Sequence, residues 1–96
     1  MTFYDDAEFA AINMVRLAAA EDDGDQRTAA MHGVVIDMYE RHETPGVSGL
    51  CMALARQYSA ALRVIAAARG TSIAAIIDEF EQHKLGQIDD EPEPDA

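Results

Sequence analysis

Three short stretches cut this chain into pieces. They are "EDDGD" (residues 21 to 25), "ETPG" (43 to 46) and "RGTS" (69 to 72), and each gathers residues that halt or restart a helix. Glycine tolerates left-handed backbone, proline disfavours the helical region for the residue before it, and Asp, Ser or Thr side chains cap the helix that follows. The stretches between them are of helical length and repeat apolar residues at helical spacing. None shows the sustained alternation of a strand.

Four helices are expected. The first runs from about Asp5 to Glu21, with Asp5, Asp6 and Glu8 near the positive end of its macrodipole. Asp25 caps a second, about Gln26 to His42. Ser48 caps a third, reaching Arg69, and Thr71 or Ser72 caps a fourth, ending near Lys84. The fold class is therefore all-α: an antiparallel four-helix bundle made of two helical hairpins. It occupies residues 1–86 as a single domain. Residues 87–96 hold five acids and two prolines with nothing to bury, and read as a disordered acidic tail. The interior must be largely alanine, because the chain has only three Phe, three Tyr and no Trp.

Within this frame one octet is nearly repeated. "VIDMYERH" (35 to 42) and "IIDEFEQH" (76 to 83) share four identical positions and close the second and fourth helices. At 100° per residue Val35, Met38, Tyr39 and His42 share one arc, as do Ile76, Phe80 and His83. Either a short duplication or the same packing duty on two helices writes this pattern, and shared duty suffices. On the third helix Leu50, Cys51, Leu54, Tyr58, Leu62 and Ile65 form a broad apolar face, opposed by a stripe that includes Arg56 and Arg63. The first helix is broader still. Ile12, Met14, Val15 and Leu17 exceed the stripe a surface helix needs, which points to packing on two sides and to a homodimer through this helix.

Charge narrows the partners. The net charge is −11, but residues 27 to 88 are balanced and residues 44 to 77 contain no acid, so the acidity lies at the two ends. A chain so acidic lacks the basic surface that phosphate contacts require, so no nucleic acid is expected. No run approaches the roughly 18 apolar residues of a membrane helix, and no basic, apolar leader opens the sequence. Cys51, the one cysteine, sits in "LCMALA" and reads as a buried thiol. These features imply a cytoplasmic protein.

Three chemistries deserve weighing. A metal could be held by His42, Glu79 and His83, since Glu79 and His83 lie one turn apart, yet no HExxH or paired ExxH pattern accompanies them. Residues 65–80 carry the Ala–Gly–Ile skeleton of a helix-turn-helix DNA-binding regulator at Ala66, Gly70 and Ile76, but the second helix offers no Arg, Lys or Asn to read bases. No glycine-rich phosphate loop or GxSxG nucleophile is present. The reading is a small, acidic, non-enzymatic interaction or regulatory protein with no cofactor, homodimeric, whose partner is another protein with a basic surface. Ile12, Met14, Val15, Arg56 and Arg63 are its candidate interaction residues.

Overall fold

The computed structural model describes residues 2 to 90, with side chains described through Ile88. All regular structure among them is helical: α1 (Phe3–Ala20), α2 (Gly24–Arg69) and α3 (Ile73–Asp90). The all-α expectation is met, with three helices where four are expected.

Each boundary has a local cause. Thr2 caps α1 in a reciprocal box: Asp5 N–H donates to Thr2 Oγ1 at 3.1 Å, and Thr2 N–H donates to Asp5 Oδ2 at 3.3 Å. The helix therefore starts two residues before the expected Asp5. Its last turn holds no basic residue. Arg27 of α2 supplies one instead, donating from Nε to the Glu21 carbonyl (3.0 Å) and from its guanidinium to the Asp22 carbonyl (3.3 Å). At the start of α2 the cap is Asp23, whose Oδ1 accepts from Gln26 N–H at 3.0 Å, and Asp25 lies in the first turn.

The helices expected over 26–42 and 48–69 join into one, with a single residue out of helical geometry. Glu43 has φ 60° and ψ −147° and divides α2 into two arms. Pro45 is then in the first turn of the second arm, where a missing N–H forfeits no intrahelical bond. Ser48 is interior to the helix rather than its cap. The chain bends sharply at the break. A Cβ on Gly46 would lie 2.8 Å from His42 Cβ and 3.1 Å from the Met38 carbonyl carbon, so only glycine lets the two arms approach this closely.

Between α2 and α3 the "RGTS" stretch behaves as read. Gly70 takes φ +66°. Its N–H donates to the Ala67 carbonyl at 3.3 Å, and Thr71 N–H donates to the Ala66 carbonyl at 2.9 Å, the paired bonds of a Schellman stop. Ser72 Oγ then accepts from Ala75 N–H at 3.1 Å and caps α3. That helix passes its expected end and continues to Asp90. Residues 87–90 are thus helical, and the remainder of the expected tail lies outside the described residues.

The chain divides between Gln57 and Tyr58 into two compact units. In the first, Ala7, Ala10, Ala11 and Met14 of α1 meet Val34 and Met38 of the first arm and Leu50 and Ala53 of the second. Alanine on α1 permits close approach, and a Cβ on Gly49 would sit 2.9 Å from the Phe3 ring and 3.4 Å from Ala7 Cβ. In the second unit the core is Leu62, Ala66 and Ile76, with Ile73 packed partly against it. The matching octets thus serve unequally. Met38 and Ile76 are both fully buried, but His42 is half-buried while His83 is exposed. Cys51 is exposed, correcting the expectation of a buried thiol: Leu50 takes the inward position, and the next residue turns about 100° away.

Candidate functional site

Helix α1 has two apolar faces. Ala7, Ala10, Ala11 and Met14 span an arc of about 100° turned into the core. Tyr4, Phe9, Ile12 and Val15 span a separate arc of about 140° and are all exposed, Phe9 at 58%. Of the candidate interaction residues on this helix, Ile12 and Val15 therefore lie on the outer face. Met14 does not: it is buried with Met38 and Leu50, so it serves packing.

Beside the outer face an open cleft of ≈ 440 Å³ separates α1 from the first arm of α2. Phe9, Ala10, Leu17 and Val34 give it an apolar floor and wall, and Asp6, Asp37 and Arg41 stand in its lining. Phe9 belongs to both features and makes them one surface.

The charged lining is a network. Arg41 pairs with Asp6 and, through Nε at 3.0 Å, with Asp37, with a further guanidinium contact to the Met38 sulfur at 3.3 Å. His42 Nε2 lies 2.6 Å from Asp6 Oδ2, and its ring meets the Phe3 ring edge-on at a centroid distance of 5.0 Å. The Arg41 guanidinium, and then His42, hold the Asp6 carboxyl below the ordinary carboxylate range. Reciprocally, Asp6 and then Asp37 push the Arg41 pKa upward. Asp37, though paired with Arg41, keeps 58% of its side chain exposed at the cleft.

A second bridge fixes the other arm. Arg56 pairs with Glu8, its Nε at 2.9 Å, and Gln57 Nε2 donates to Glu8 Oε2 at 2.9 Å and to the Glu8 carbonyl at 3.1 Å. These bonds, Arg56 first, lower the Glu8 pKa. Arg56, a candidate interaction residue, is thus used in tying α1 to α2 through Glu8. Arg63 is exposed in the second unit.

The three residues weighed for a metal have separate partners. His42 meets Asp6, Glu79 accepts from Arg69 at 3.2 Å, and His83 meets Gln87 at 3.2 Å. Among the described residues no group of three or more His, Cys, Asp or Glu is placed to hold a metal ion. Within residues 65–80, the exposed side of α3 presents Ile77, Asp78 and Phe80. Among the described residues no single helix is long and apolar enough to cross a membrane.

What sequence reasoning missed is the Asp6–Arg41–His42 network and the cleft beside it. The partners are 35 and 36 residues apart, and no local spacing announces them. Compared with protein-family models, characterised proteins and solved structures, the chain finds no match.

Proposed function

We propose that this is a small, acidic, non-enzymatic interaction protein that binds a basic, amphipathic segment of another protein along the outer face of α1. The observation that carries the reading is the second apolar face of α1, left in water beside an open cleft. Exposed apolar surface gathered in one place and rimmed by polar groups is the mark of a docking site. A partner helix laid there would set an apolar side chain into the cleft against Phe9 and Leu17, and a lysine or arginine near Asp37. Acids concentrated at residues 1 to 26 would speed the encounter in a salt-dependent way. Self-association belongs to the same reading, as does the two-hairpin four-helix architecture; its support is the break at Glu43, which gives α2 two arms.

The test is an NMR titration with a Lys- and Leu-containing amphipathic helical peptide as probe. Shifts should cluster at Tyr4, Phe9, Ile12, Val15 and Asp37 and weaken with added salt. They should disappear in an Ile12→Glu/Val15→Glu variant. Binding that survives these substitutions, or resists several hundred millimolar salt unchanged, refutes the placement.

A further inference from the structure

A core of three residues is thin for a helical pair. Among the described residues of the unit beginning at Tyr58, Leu62, Ala66 and Ile76 are the buried ones. Paired helices draw most of their stability from packing an apolar face, so a pair with so little inside needs cover from outside. Beside the small core runs an uncovered stripe: Tyr58 and Ile65 on α2, and Ile77, Phe80 and Ile88 on α3, each between 38% and 56% exposed. Tyr58 and Ile65 are two turns apart on one side of α2, and the α3 residues fall within an arc of about 80°. The Tyr58 and Phe80 rings meet at a centroid distance of 6.3 Å, which joins the two stripes into one face.

We propose that a second copy of the chain docks on this face, two α2–α3 hairpins closing around a shared core. The inference rests on the self-association in the proposed function and relocates it from α1 to the hairpin.

One quantity favours a second copy. A half-exposed side chain of this size leaves about 100 Å² in water. Five of them offer on the order of 500 Å² of apolar surface per copy. At the roughly 65% apolar content of homodimer interfaces, that corresponds to a patch of about 800 Å² per partner, the size of a standard stable interface. The face itself is not strongly charged: over residues 58 to 88 Arg63, Arg69 and Lys84 balance Asp78, Glu79 and Glu81, and Asp89 and Asp90 follow at the end of α3.

Sedimentation velocity and native mass spectrometry of the full chain across the micromolar range should show two-chain particles. An Ile77→Glu/Phe80→Glu variant should weaken association by about tenfold or more. The Ile12→Glu/Val15→Glu variant should stay within about threefold of the unaltered chain. Should the hairpin variant lose its helices, hydrogen exchange on the unaltered chain decides: amides of 58 to 88 should gain protection as concentration rises, and those of α1 should not. A single chain at every concentration, or association lost in the α1 variant and kept in the hairpin variant, overturns the proposal. Peptide binding to α1 proceeds or fails independently of either result.

Discussion

Replacing Glu43 by glycine should stabilise this protein. Glu43 sits at φ 60°, ψ −147°, a region that side-chain-bearing residues enter at a cost of about 1–3 kcal/mol and that glycine enters freely. Glycine's greater freedom in the unfolded chain returns about 0.5–1 kcal/mol of that. The expected net gain is about 1 kcal/mol, which for a chain of this size raises Tm by about 4–8 °C. A complication is the carboxylate itself, which ends the first arm of α2 near the negative pole of its dipole; removing it contributes about 0.3–1 kcal/mol on its own. Glu43→Ala removes the charge and keeps the strained Cβ, so the difference between the two variants isolates the backbone. Urea unfolding followed by far-UV circular dichroism gives both free energies with a common slope. If Glu43→Gly proves no more stable than Glu43→Ala, the backbone at this break is not strained as described.

Other substitutions test neighbouring claims. Gly46→Ala places a methyl against the Met38 carbonyl and His42 Cβ and should cost about 1–3 kcal/mol; Gly33→Ala, with nothing within 4 Å, should add about 0.5–1 kcal/mol. Asp6 and Glu8 both have pKa values lowered by their arginine partners, so the stability they confer is present above the unfolded carboxylate pKa of about 4 and is lost as pH falls through the lower folded values. Acid titration of Asp6→Asn should therefore show a shallower loss of stability below about pH 4 than the unaltered chain; an identical slope would refute the network. Cys51 should react with a disulfide exchange reagent in the native protein without denaturant, and protection until unfolding would return it to the interior.

The parts legible in sequence were those governed by a few adjacent residues. "RGTS" specifies a stop and a restart through Gly70 and Ser72, and both act as their chemistry dictates. "ETPG" marks a true break, but proline opens a helix as readily as it closes one. The second arm therefore resumes at once, leaving no work for Ser48 as a cap. The Thr2–Asp5 box is equally local and was open to reading: a threonine followed three residues later by an acid. Other features require knowing which helices meet. Arg56 finds Glu8 across 48 residues, and Arg41 finds Asp6 across 35. Apolar neighbours made Cys51 and Tyr58 look internal, yet each inward direction on α2 was already filled by Leu50, Ala53 and Leu62. The outer face of α1 was half legible: its breadth was visible, but which of Ile12, Met14 and Val15 faced inward depended on the docking of α2.

The separation between Glu8 and Arg56 also sets an order of events. During synthesis α1 leaves the ribosome before α2, and its final partners Leu50, Ala53 and Arg56 are added thirty or more residues after Ala20. At about 5–20 residues per second, α1 waits a few seconds with both apolar faces bare. Met38 and Val34 become available earlier, so the α1–α2 pairing clamped by Arg27 and Arg41 shelters the helix in the interval. The second unit faces no such delay. Its contacts are more local, spanning 10 residues between Arg69 and Glu79 and 22 between Tyr58 and Phe80, and close soon after they are made. The nascent chain thus faces its greatest exposure to misassociation early, on the helix that later presents the second apolar face.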